Sequence, residues 1–164
     1  MKKITALLLA MTLAFSFCAF ACADSMTISY TPAQAYELTI PSSTDFTSTK
    51  TSFDDTVALS GITLEADKQI IVKMSSANNF ALKCADGDSK IAYTVSIDGS
   101  EVDNDCAVLL AAAGNKTASQ TLSFATTEAA IAGATIAGAH TDTLTFEAIV
   151  WDSSATYEIG ATIS

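Results

Sequence analysis

Arginine is absent from the chain, and all eight basic residues are lysines. There is one histidine, His140, one tryptophan, Trp151, and only two prolines. Without a guanidinium and with a single imidazole, few parts exist for acid–base catalysis or for clamping an oxyanion. Against the lysines stand 18 acidic residues, for a net charge of −10. Nothing in that balance neutralises a phosphate backbone, so nucleic acid is excluded as a generic partner. The same charge repels an anionic membrane surface. Internal repeats, heptads and Pro/Gly-rich linkers are also missing. What remains is one domain's worth of chain, 164 residues of which 49% are hydrophobic, enough to build a core.

The N-terminus has the form of a secretory signal. Lys2 and Lys3 form a basic start, residues 4–20 are an apolar run too short for a stable span, and Ala21-Cys22-Ala23 supplies the small-x-small cleavage pattern. The expected division is a signal peptide over 1–23 and one domain over 24–164. Cys18 and Cys22 raise the alternative of a lipid anchor, but the residues before them, Phe17 and Phe20, fit that chemistry poorly. Cleavage leaves all 18 acidic residues and six lysines, a net charge of −12. The expected location is outside the cell or on its surface, with no membrane contact after cleavage.

Two cysteines then remain, Cys84 and Cys106, and an even pair in an exported chain suggests one disulfide. Closing a loop of that spacing contributes about 3 to 3.5 kcal/mol on the chain-entropy view. Neither cysteine has the neighbours that a metal site or a catalytic thiol needs.

Short apolar–polar alternations dominate the rest, the pattern of half-buried strands. Tyr36, Leu38 and Ile40 share one face; Ile70, Val72 and Met74 another. The same holds for Phe80, Leu82 and Cys84, for Ile91, Tyr93, Val95 and Ile97, for Cys106, Val108 and Leu110, for Leu122 and Phe124, and for Leu144, Phe146, Ala148 and Val150. Both cysteines fall on the apolar parity. Asp86-Gly87-Asp88 and Asp98-Gly99 mark turns. The polar stretch 42–55 is expected to be a long loop or an irregular edge strand, and the Ala/Gly-rich stretch 127–139 a short helix or a crossover. The fold class expected is all-β, an immunoglobulin-like antiparallel β-sandwich with one intradomain disulfide.

Candidate sites are few. His140 is the one general-base candidate. Thr141 and Asp142 adjoin it, but neighbouring strand residues face opposite ways and no triad follows. No catalytic residue is assigned, and an enzyme is not expected. Asp98, Asp103 and Asp105, with Glu101 and Asn104, offer the hard oxygen atoms that calcium takes, without the order of a calcium-binding loop. No cofactor is expected. Trp151, Tyr157 and Ile159 are the candidates for strand exchange or ligand binding. Asn115-Lys116-Thr117 has the form of a glycosylation sequon.

The run Ala137-Gly138-Ala139-His140-Thr141-Asp142-Thr143-Leu144-Thr145-Phe146 resembles the Ala-Gly-x-Tyr-x-Asp entry to a late strand in exported bacterial pilin-like β-sandwiches. These are surface proteins of the spore coat U and chaperone–usher type, with related Gram-positive secreted proteins. Tyr36-Glu37-Leu38-Thr39-Ile40-Pro41-Ser42 and residues 61–68 are similar to the openings of the Gram-positive examples. His140 departs from the pattern, standing where the family has Tyr. The resemblance implies a sandwich outside the membrane and assembly by β-strand addition to itself or to other surface subunits. Residues 26–30 or 156–163 would be the added strand. The function expected is a secreted or cell-surface structural or adhesive protein of a bacterium. The alternative is a secreted carbohydrate- or protein-binding module.

Overall fold

The computed structural model describes residues 29–163. The signal segment 1–23, Cys18, Cys22 and residues 26–28 of the first donor candidate lie outside the described residues. All elements fall in the compact unit Pro32–Ser164. Among the described residues no helix is long and apolar enough to cross a membrane.

The chain is all-β. Its strands are β1 (Ala35–Thr39), β2 (Ser52–Thr63), β3 (Lys68–Ser76), β4 (Ala81–Cys84), β5 (Lys90–Ile97), β6 (Ser100–Glu101), β7 (Cys106–Ala112), β8 (Ala118–Thr126), β9 (His140–Thr141) and β10 (Leu144–Asp152). A short helix, α1 (Glu128–Ala132), sits between β8 and β9, and the Thr127 hydroxyl caps it by accepting from the Ala130 N–H. The larger sheet has the order β1-β2-β8-β5-β4-β9, with β6 also paired to β5. The smaller has the order β10-β3-β7. Every pairing is antiparallel.

The sheets bury one core between them, with Val57, Leu59, Val95, Leu122 and Phe124 from the large sheet against Ile70, Val72, Met74 and Val108 from the small one. β2 is the strand that composition hid. Its solvent face carries Asp54 and Ser52, yet Val57 and Leu59 alternate inward. At Gly61, left-handed at φ 61°, the strand bulges, so that Ile62 rather than residue 61 returns to the core. Asp98 and Gly99, both left-handed, close the expected tight turn between β5 and β6.

Parity alone misplaced part of β7. A register shift opposite Val72 and Lys73 adds a residue, so Leu109 and Ala111 face the main core and Leu110 turns to the other side. That other side is also covered. Ile71, Ala107 and Ile163 form a second small core with Leu110 and Tyr157. The C-terminal segment after β10 folds back across the small sheet and pairs with the outer edge of β7. Gly160 N–H donates to the Ala107 carbonyl (2.7 Å), Ala107 N–H to Ala161 (2.9 Å) and Ile163 N–H to Asp105 (2.8 Å). The segment 156–163, a donor candidate in the sequence, is therefore bound within its own chain.

The expected disulfide is not formed. Cys84 and Cys106 are both buried free thiols. Shared parity did not bring them together because they sit in different places: Cys106, paired with Met74, belongs to the main core, whereas Cys84, paired with His140 at the far edge of the large sheet, lies outside that core beside Gly138. Burial pushes the Cys106 thiol up to about 11. At pH 8 about one Cys106 thiol in a thousand is ionised, and it is the thiolate that reacts; Cys84 is kept from reagent by its burial. The native protein is therefore expected to resist alkylation at both cysteines, to label at both in urea, and to melt at the same temperature with or without reductant. Fast labelling of the native state would contradict this packing.

Candidate functional site

The sheets part at one end, leaving a cleft of about 500 Å³. Its floor is the inner face of the large sheet, with Phe53 of β2, Phe124 of β8, Tyr93 of β5 and Leu82 of β4. Leu144 and Phe146 of β10 form the opposite wall, and the connection 40–46 between β1 and β2 crosses the mouth. The aromatic rings lie against one another. Phe53 stacks on Phe124 at 4.9 Å, and Phe46 reaches from the connection to Phe53 at 5.0 Å and Tyr93 at 5.9 Å. The cleft's size and its mixture of aromatic side chains with polar residues from 42–45 and 140–143 suit a binding site.

A carboxylate anchors one side of the cleft. Asp142 takes four hydrogen bonds: from the Ser76 hydroxyl (2.6 Å) and the Tyr93 hydroxyl (2.6 Å) on one oxygen, and from the backbone N–H groups of Asn78 (3.1 Å) and Thr143 (2.8 Å) on the other. Ser76 in turn accepts from the Phe80 N–H, and the Asn104 amide bridges the Ser76 backbone. The network ties β3, β5 and the start of β10 together. It also pins a strained corner, because Asn79 and Phe80 are both left-handed at φ 55° and 56°.

Burial, and then the Asp142 carboxylate beside it, push the Tyr93 phenol well above its ordinary value near 10. The folded protein holds this proton more tightly than the unfolded chain. Its contribution is fully present below about pH 10 and is lost as pH rises beyond that, because the unfolded chain then ionises first. Unfolding free energy is expected to fall steeply above pH 10 in the wild type. Tyr93→Phe, at a cost of about 1–2 kcal/mol at neutral pH, flattens that decline. An unchanged alkaline slope in the variant would disconnect Tyr93 from it.

His140 does not join Asp142. Its Nδ1 lies 3.0 Å from the Gly138 carbonyl, which only accepts, so Nδ1 donates there; Nε2 meets the Ser89 hydroxyl at 2.9 Å. The Nδ1 bond is local, reaching backbone two residues back. The serine–imidazole contact was not legible, since Ser89 lies 51 residues away. Ser89 is 3% exposed and its oxygen also accepts from the Thr135 N–H. The pair clamps the loop between α1 and β9 onto the turn before β5.

No protein-family model, curated protein or solved structure matches this chain. The site stands on its own geometry.

The calcium candidates do not converge. Asp105 is engaged by the Lys73 ammonium at 3.0 Å, and Asp98 accepts from the Gln120 amide at 3.3 Å. Among the described residues no group of three or more His, Cys, Asp or Glu side chains is placed to hold a metal ion. Trp151 packs edge-to-face on Tyr157 at 5.8 Å and keeps 39% of its surface exposed. Ile159 is exposed beside Asp98 and Glu101. These three lie on the C-terminal segment and the small sheet's outer face, away from the aromatic cleft. The residues that build the cleft, Phe46, Phe53, Tyr93, Phe124 and Asp142, were not singled out as a site by the sequence. The aromatic spacing and the Asp142 position were visible, but their convergence comes from three strands distant along the chain.

Proposed function

We propose that the protein is an exported surface subunit with an immunoglobulin-like sandwich, which assembles by accepting an extended strand from another copy. The observation that carries this reading is the distribution of open edges. An exposed edge is a template for pairing, and proteins ordinarily protect it. The outer edge of β7 is covered by the C-terminal segment. β9 has two residues, and β1 has five, with Pro41 soon after it. β10 differs. All nine of its residues pair with β3 without a bulge, and among the described residues no strand lies on its other side. Its outward direction is marked by the Ala148 carbonyl, which accepts from the Tyr36 hydroxyl at 3.3 Å. Beside it, residues 52–57 of β2 have, among the described residues, no strand neighbour on the side away from β8. The aromatic cleft lies between these edges.

The donor is the stretch 26–30, where Met26, Ile28 and Tyr30 alternate with Thr27 and Ser29. Tyr30 is 88% exposed. The signal-like start of the chain and the scarcity of acid–base side chains support an exported, non-enzymatic role. Proline at position 148 tests the edge. In a strand the N–H and the carbonyl of one residue point the same way, so Ala148→Pro removes an outward donor and spares the ladder to β3. Wild type is expected to form oligomers by light scattering and the variant to stay monomeric with an unchanged melting temperature. Oligomers of equal size in both proteins would overturn assembly through β10.

A further inference from the structure

The connection 40–50 fills the cleft mouth in a way that its surroundings do not require. This inference rests on the strand-addition reading and concerns its regulation. β1 pairs with β2 up to Thr39 opposite Ala58. Continuing that register sets residue 42 opposite residue 55, and Ser42 does lie there, but its N–H donates to the Asp55 side chain at 3.2 Å instead of to backbone. Pro41, one residue earlier, has no N–H to give the ladder. Among the described residues no backbone–backbone hydrogen bond ties 40–46 to either sheet. The segment thus follows the free edge of β2 without joining it.

Two devices hold it in place. Phe46 inserts its ring against Phe53 and Tyr93. Lys50, at the end of a tight turn closed by mutual Thr47–Lys50 backbone bonds, places its ammonium 5.0 Å above the Phe53 ring and 3.1 Å from the Thr44 hydroxyl. Ser42, Ser43, Thr44 and Asp45 between these points are exposed.

We infer that residues 40–50 are an autoinhibitory strap: Phe46 closes the mouth of the aromatic cleft in the free protein, Lys50 latches it, and an incoming strand must displace it before pairing along β2 and β10. An extended peptide can supply the regular backbone bonds that the strap leaves unmade, so exchange goes in its favour once the ring has left. The strap keeps single copies from pairing before a donor arrives at sufficient concentration.

The test uses the protein from residue 24 onward and a fluorescein-labelled peptide of residues 24–31, with binding followed by anisotropy. Phe46→Ala is expected to raise the association rate at least tenfold over wild type, and Lys50→Ala about threefold. Lys50→Ala keeps the aromatic packing, so it answers the question even if Phe46→Ala folds poorly. Equal rates in wild type and both variants would overturn the strap and leave strand addition standing. A peptide that binds none of the three, while each melts cooperatively, would overturn strand addition and the strap with it.

Discussion

Asp142→Ala is expected to lower the free energy of unfolding by about 4 kcal/mol. The carboxylate gathers four donors from three separate parts of the chain. Its removal leaves the buried hydroxyls of Ser76 and Tyr93 without their acceptor, and each such orphan costs about 1–3 kcal/mol. The loss falls where it is least affordable, since the strained left-handed corner at Asn79 and Phe80 depends on Ser76. Asp142→Asn keeps an oxygen but turns an N–H₂ toward donors, and roughly half the loss is expected. Urea unfolding monitored by the single tryptophan measures both. A change below 1 kcal/mol for Asp142→Ala would mean the network is ornamental to stability. Because Asp142 and Tyr93 line the cleft, the variants also loosen its floor.

Truncation after Asp152 is the second large effect. In the intact chain the last segment covers Ile71 and Ala107, anchors Ile163 and Tyr157, and closes the β7 edge with backbone bonds. The Gln69 amide also holds it, donating to the Ala155 carbonyl at 2.7 Å. Returning those apolar side chains to water and losing those bonds is expected to cost about 4 kcal/mol. The shortened protein also exposes a second open edge and is expected to aggregate without regular stoichiometry. A segment that served only as a donor to a neighbour would behave differently. Its removal would leave the monomer's melting temperature unchanged and abolish assembly, and that result would move the donor from residues 26–30 to the C-terminal segment.

The alternation of Tyr93, Val95 and Ile97, of Leu122 and Phe124, and of Leu144, Phe146 and Ala148 was enough to read an all-β chain, because strand parity is a local property. The Asp98-Gly99 turn was legible for the same reason. Three features were not. β2 carries its apolar residues between Asp54, Asp55 and Ser60, so its composition resembles a loop until the pairing with β8 is known. The bulge in β7 moved Leu110 off the face that parity gave it, and a single extra residue leaves no mark in a short apolar run. Ile71 stood on the polar parity of β3 and is buried because the C-terminal segment returns over it, a contact some 90 positions away along the chain. The disulfide failed as an expectation because parity tells which face a cysteine occupies, not where on that face it lies: Cys106 is in the main core and Cys84 at the edge strand outside it. The site was least legible of all: Asp142 looked like a neighbour of His140, while its partners lie 49 to 66 positions earlier.

The account turns on whether one copy lends a strand to the next. The most direct measurement is electrophoresis in detergent of the purified protein, run unboiled and boiled side by side. Strand exchange across a fully paired edge resists detergent at room temperature and yields to heat. The account predicts a regular ladder in the unboiled lane that collapses to one monomer band on boiling, and no ladder for Ala148→Pro. A single monomer band in both lanes from concentrated wild-type protein would contradict it.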